Sequence, residues 1–220
     1  MKTIDLNVDI GEGMPWDRDL MQIATSVNIC IGGYAGSESG CLETAALARD
    51  AHLAVGAHFG YEDSEHFGRQ SDPSAPAILA MMDRCFRVIP RLEPHYLKPH
   101  GAFYNDTASG KRLDLLREIR IKFPVPMLGL PRSHQESTPG PLWREGFADR
   151  AYMADGSLVP RSVPGAVLTD LGQIRAQVVD LAGKVDSICL HGDHPGCVER
   201  ALVVREALES AGFIVQRCSQ

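Results

Sequence analysis

Short apolar runs alternate with longer amphipathic stretches along this chain, and that alternation restricts the fold more than any other feature. Strands are expected at 3–10, 26–31, 53–58, 95–99, 125–129, 147–150, 186–191 and 213–216, with helices at 41–51, 74–91, 110–122, 170–182 and 196–211. Repeated βα units build parallel sheets, because each helix must carry the chain back across the sheet before the next strand begins. Six or more such units within 220 residues fit a closed (β/α) barrel better than an open sheet, formed as a single α/β domain over 1–220. Ser71-Asp72-Pro73 reads as a helix cap and Gly212 as a helix stop. The proline-rich segment 131–143 reads as a loop.

Three of the apolar runs end at a histidine with a small neighbour: Gly56-Ala57-His58, His100-Gly101 and His191-Gly192-Asp193. In a parallel barrel the C-terminal ends of the strands form the rim where ligands bind, so three imidazoles delivered there point to a site. The first strand adds to it. Ile4, Leu6, Val8 and Ile10 alternate with Asp5, Asn7 and Asp9, and period-two geometry turns the polar set into the barrel, where charge survives only when paired or bound. Glu12 follows between two glycines. Asp5 is expected either in that site or as a buried structural partner for an arginine, and Arg150 and Arg161 either on an anionic group or, as the favoured reading, in internal pairs with Asp5, Asp149 or Asp155.

Composition narrows the possible partners. A net charge of -6, from 22 basic and 28 acidic residues, argues against a nucleic-acid or anionic-membrane surface. No run approaches membrane-spanning length, and the amino terminus lacks a leader pattern, so a cytoplasmic protein is expected. None of the six cysteines shows the spacing of a zinc ribbon or redox pair, which favours reduced, buried thiols. Cys197, four residues after Asp193, is the one that could stand as a nucleophile, although no histidine is tied to it by sequence.

The most distinctive stretch is Lys98-Pro99-His100-Gly101-Ala102-Phe103-Tyr104-Asn105. Together with Asp5–Gly13, Gly56-Ala57-His58, Phe67-Gly68-Arg69, Glu145–Tyr152, Asp155–Arg161 and His191-Gly192-Asp193, it resembles the LamB/YcsF family, the A components of ATP-dependent 5-oxoprolinase. The resemblance implies a seven-stranded barrel of the glycoside hydrolase and deacetylase-like type. It also implies a hydrolase that opens a cyclic amide, 5-oxoproline, to glutamate with ATP and partner B and C subunits. Asp9, Glu12, His58, His100, His191 and Asp193 would then carry the catalysis. Asn7, Tyr34, Arg69, Lys98, Tyr104 and Asn105 would bind substrate, with Arg69 and Lys98 placed for an anionic group. The chain departs from the family pattern at Tyr34 and Ser37, where a histidine and an aspartate are usual, at Phe59 in place of proline, and at Gln70 in place of arginine.

Two other functions compete. A metal-dependent amide or acetyl hydrolase would use Asp9, His58, His100 and His191 as ligands to a divalent ion that activates water. A paralogue altered at Tyr34 and Ser37 would bind a carboxylated metabolite without turnover. Self-association into a homo-oligomer is left open by the sequence.

Overall fold

The computed structural model describes residues 2–70 and 72–218, which leaves Ser71 of the expected cap outside the described residues. Seven parallel strands close into a barrel: β1 (Lys2–Ile10), β2 (Ser26–Cys30), β3 (Ala54–Phe59), β4 (Tyr96–Pro99), β5 (Met127–Gly129), β6 (Leu142–Phe147) and β7 (Ser187–Leu190). Closure is made by β1, which pairs with β2 from Asn7↔Ser26 to Ile10↔Ile29 and with β7 from Asp5↔Ser187 to Val8↔Leu190. A short eighth strand, β8 (Phe213–Val215), pairs with the overhanging start of β1 from Lys2 to Ile4.

The helices surround this ring. They are α1 (Asp17–Met21), α2 (Glu38–Asp50), α3 (Ala75–Leu92), α4 (Gly101–Ala108), α5 (Leu113–Lys122), α6 (Leu171–Leu181) and α7 (Cys197–Ser210). None among the described residues is long and apolar enough to cross a membrane.

The apolar core is the annulus between strands and helices, where Leu6, Val8, Ile10, Val27 and Ile29 meet Cys41, Met81, Val88 and Val204. The barrel interior is polar instead. Asp5, Asn7, Asp9, Ser26, Asn28, His58, Lys98, Glu145 and Ser187 are all buried there, so period-two alternation in β1 separates a greasy outer face from a charged inner one.

Several elements differ from expectation. The sixth strand lies at 142–147 instead of 147–150, because its charged pair Arg144-Glu145 breaks the apolar signal although Glu145 is fully buried inside the barrel. The segment 131–143 is not all loop: it holds a 3₁₀ turn at His134–Ser137 and the start of β6. The expected helix 110–122 starts only at Leu113, because Gly110 and Arg112 take left-handed backbone angles, and a separate helix at Gly101–Ala108 precedes it. Helix α3 is capped by Ser74, whose hydroxyl accepts from the Ala77 amide at 3.3 Å. Helix α1 is too short to show a period.

Candidate active site

The interior polar residues form a ladder that ends at the C-terminal rim. At its foot Asp5 accepts hydrogen bonds from Thr25 (2.7 Å), Ser26 (2.6 Å) and Ser187. No arginine among the described residues pairs with it, contrary to expectation: three hydroxyls supply the donors, and burial outweighs them and raises its pKa. Above it, Asn7 donates to Ser187 at 2.7 Å and accepts from Asn28 at 2.6 Å. Asn7 is fully buried and lies below the cavity, so it holds the ladder together and does not meet a ligand.

Lys98 sits at the middle of the ladder. Its ammonium lies 2.9 Å from Asp9 Oδ1, 3.0 Å from Glu145 Oε1, 3.2 Å from Asn7 Oδ1 and 2.9 Å from Cys189 Sγ. Burial by itself would push the lysine down, but Asp9, Cys189 and Glu145 outweigh it and hold the ammonium charged. With its donors taken up by these groups, Lys98 is not available for an anionic ligand, and the expectation that it would clamp one is corrected. Glu145 is the partner that the strand pattern conceals, because 147–150 reads as the strand and leaves Glu145 in the turn before it.

Asp9 is the pivot of the rim. Its Oδ1 accepts from Lys98 and from Asn28 at 2.7 Å, leaving Oδ2 at 3.5 Å from His58 Nε2 and 4.0 Å from His191 Nε2. Burial opposes ionisation here, yet Lys98 and His58 prevail and hold Asp9 well below the usual carboxylate range. Glu12 behaves oppositely: burial and the charges of Asp9 and Asp193 raise it well above that range. Two nearby carboxyls with pKa values driven apart make an acid and a base available at the same pH.

The three histidines have distinct environments. His58 Nδ1 lies 3.0 Å from the Lys98 carbonyl and His100 Nε2 lies 2.9 Å from the Phe67 carbonyl. A carbonyl only accepts, so both of these nitrogens carry protons. The remaining nitrogens, His58 Nε2 and His100 Nδ1, face each other at 2.9 Å, with Glu12 Oε1 4.0 Å and 3.9 Å away. Two opposed lone pairs at that distance need a bridging proton or a cation between them. Burial and His58 push His100 well below the usual imidazole range. His191 is freer: its Nδ1 is 2.8 Å from Asp149 Oδ1, its backbone amide donates to Asp149 Oδ2, and its Nε2 points toward Asp9. Although burial opposes it, the His191 ring keeps Asp149 ionised. Sequence offers Asp149 only as an arginine's partner; its role in orienting His191 is hidden because it lies just past the end of β6.

Around these groups opens a cavity of about 500 Å³ lined by Asp9, His58, Lys98, His100, Tyr104, Asn105, Phe147, His191, Arg69, Arg150 and Arg161. Tyr104 and Asn105 thus lie on its wall, and the buried Tyr104 hydroxyl has no hydrogen-bond partner among the described residues. Glu12, Tyr34 and Asp193 stand behind the wall. Tyr34 stacks face to face on His100 at 3.8 Å between ring centres, and its hydroxyl donates to Glu12 at 3.3 Å. Asp193 is ion-paired with Arg69.

Arg150 and Arg161 do not make the internal pairs expected of them. Arg150 donates to two backbone carbonyls, and Arg161 approaches only Asp193 as an ion pair, at 4.0 Å. Ser37 is exposed and caps α2, accepting from Gly40 at 3.1 Å. Serine and aspartate cap helices equally well, so this departure from the family pattern removes no carboxylate from the cavity. Cys197 is buried with its thiol pushed up to about 11 by burial, which argues against a nucleophile.

Two sets of side chains have atoms close enough to share a metal ion. Asp9, Cys189 and His191 fit poorly, because the Lys98 ammonium already occupies the thiol's side and burial keeps Cys189 well above the usual thiol range. Glu12, His58 and His100 offer the right donor chemistry. Two zinc-bound nitrogens at about 2.0–2.1 Å from the ion stand roughly 3.3 Å apart in tetrahedral geometry, so the 2.9 Å pair would open slightly. The glycine-rich segment 31–37 offers no phosphate cradle: a Cβ at Gly33 would fall 2.6 Å from the Glu62 carboxylate, which Arg84 holds in place at 2.5 Å.

Fold and site together define a seven-stranded (β/α) barrel with an acid and histidine cavity at its C-terminal rim. The LamB/YcsF family model matches residues 4–220, and the chain belongs to that family. It is 37% identical over 247 aligned positions to the A component of 5-oxoprolinase from Streptomyces avermitilis, covering 96% of this chain and 98% of the relative. The structure of a lactam utilization protein from Thermus thermophilus superposes with a TM-score of 0.83 at 29% identity, over 98% of this chain and 99% of that one. A family 4 carbohydrate esterase from Streptomyces lividans shares the fold alone, with a TM-score of 0.59 at 12% identity over 99% and 93% of the two chains.

Proposed function

We propose that this chain is the A-type component of an ATP-dependent lactam hydrolase that opens 5-oxoproline to glutamate together with partner B and C subunits. The observation that carries this reading is the Asp149–His191 pair aimed at Asp9 Oδ2 across the cavity. The names borne by its relatives indicate the substrate. Activation by ATP is assigned to the complex with the partner subunits.

The side chains here handle water and protons. His191, its tautomer set by Asp149, presents a free nitrogen to a water held between it and Asp9 and accepts that water's proton. Glu12, held protonated, supplies the proton shared by His58 Nε2 and His100 Nδ1, and His58 Nε2, the nitrogen that also faces Asp9, delivers it to the departing ring nitrogen. His100 has both nitrogens engaged and acts within that relay, not as an oxyanion donor. A complex reconstituted with its partner subunits should release glutamate from 5-oxoproline only when ATP is present, and His191→Ala should lower kcat by about 10²–10⁴-fold. Release that is independent of ATP, or a His191→Ala enzyme as fast as the parent, sinks the proposal.

The Glu12, His58 and His100 donor set supports a second reading as a metal-dependent amide hydrolase. A divalent ion held by these three would supply water of lowered pKa. Stoichiometric zinc or another transition metal in protein purified without added metal, with activity lost to chelators, would favour it over the first.

A further inference from the structure

Between β6 and α6 the chain leaves the barrel and returns as a flap, closed by antiparallel bridges at Arg150↔Val167 and Tyr152↔Leu158. Arg150 stitches its two arms, donating to the Val159 carbonyl at 2.6 Å and the Ala166 carbonyl at 3.2 Å. That guanidinium is committed to the backbone. Arg161, on the same flap, is not: it lines the cavity, its side chain is 20% exposed, and it makes no hydrogen bond among the described residues. Its nearest carboxylate, Asp193 Oδ2 at 4.0 Å, is already neutralised by Arg69. Three guanidinium groups therefore face one wall against a single carboxylate that directly pairs with them. Arg150 is spent on the backbone and Arg69 is tied through one nitrogen to Asp193, while Arg161 makes no hydrogen bond among the described residues and keeps its whole fork of donors for the cavity. Lys98, the other cation there, is closed off by Asp9, Glu145, Asn7 and Cys189.

We propose that Arg161 is the substrate-anion clamp, binding the carboxylate of a small carboxylated lactam side-on while the ring lies toward His191 and Asp9. A planar guanidinium matches a carboxylate with two parallel hydrogen bonds, which a lysine cannot reproduce. The clamp rests on the lactam reading for the ring but not for the anion.

Calorimetry on the full chain with three probes separates the two. The probes are 5-oxoproline, 2-pyrrolidinone (the same ring without the carboxylate) and glutarate (carboxylates without a ring). The parent chain should bind 5-oxoproline at least about tenfold more tightly than 2-pyrrolidinone, and Arg161→Gln should weaken 5-oxoproline by about 10- to 100-fold while leaving 2-pyrrolidinone unchanged. Arg161→Lys should fall between, and circular dichroism should show both variants folded. If Arg161→Gln binds 5-oxoproline as the parent does, or 2-pyrrolidinone binds equally well, the clamp is wrong and the lactam reading stands. If no lactam binds but glutarate does so through Arg161, the clamp stands and the lactam reading falls. Failure of all three probes to show dependence on Arg161 overturns the clamp whatever the reconstituted complex does.

Discussion

Replacing Lys98 by methionine tests whether the interior ladder is held by charge. The ammonium is 2% exposed and lies within 3.0 Å of both Asp9 and Glu145. Its removal leaves two buried carboxylates facing each other without a counter-ion, and breaking a buried pair from one side costs about 3–5 kcal/mol. Unfolding entropy of about 2.1 cal/mol/K per residue gives roughly 0.46 kcal/mol/K for a chain of this size, so Tm should fall by about 6–11 °C. The loss should depend on pH. In the parent, Asp9 lies below its unfolded value, so its contribution is present above about pH 4 and is lost on acidification through the lower folded value. In the variant burial loses its largest opponent, and as it drives the folded pKa above the unfolded one the deficit grows as pH rises above about 4. Thermal unfolding followed by circular dichroism at pH 5 and pH 8 should show the larger deficit at pH 8, and Lys98→Met combined with Glu145→Gln should recover part of it. A Tm within about 2 °C of the parent at pH 8, or a double variant no better than the single one, would refute an electrostatic keystone.

Three further outcomes are expected. Asp149→Asn should leave the fold intact but release the His191 tautomer, lowering kcat by about 10²–10⁴-fold with little change in KM, as steady-state kinetics of the reconstituted complex would read. Cys197→Ala should keep activity within about twofold and leave the enzyme as resistant to alkylating agents as before, since a thiol with a pKa near 11 is not the nucleophile. Gly56→Ala should destabilise the barrel by about 1–3 kcal/mol in denaturant titration, because the added methyl would lie 2.2 Å from the Tyr96 ring that fills the interior beside it.

Much of the fold is legible because β1 announces it: a strand with four apolar and three polar residues in strict alternation has two incompatible faces, and a closed barrel buries both. The three rim histidines are legible for the same reason, each ending an apolar run. What stays hidden is pairing. Glu145 lies in a strand whose charged residues disguise it as a turn, and Asp149 follows that strand's end, so their partners Lys98 and His191 look free in the sequence when they are not. Arg161 misleads in the opposite sense. Sequence offers several acids near it, but Arg69 takes one, His191 takes another, and Asp155 is fully exposed, bound by Ser157. Tyr34 is the departure that matters structurally, since its ring covers His100 and its hydroxyl reaches Glu12, whereas Ser37 is a helix cap.

The two walls of the cavity are built to different standards of rigidity. Strand β1, which supplies Asp9, is laddered to β8, β7 and β2 in succession from its second residue to its tenth, so its amides can exchange with solvent only when the whole barrel opens. The flap that presents Arg161 is joined by isolated bridges, a few backbone hydrogen bonds and the Arg150 and Gln177 side chains instead of a continuous ladder, and its amides should exchange through local openings of lower cost. A ligand would therefore meet an immovable chemical floor and a compliant grip above it, and the tightness of binding could drift in evolution without disturbing where the reaction takes place.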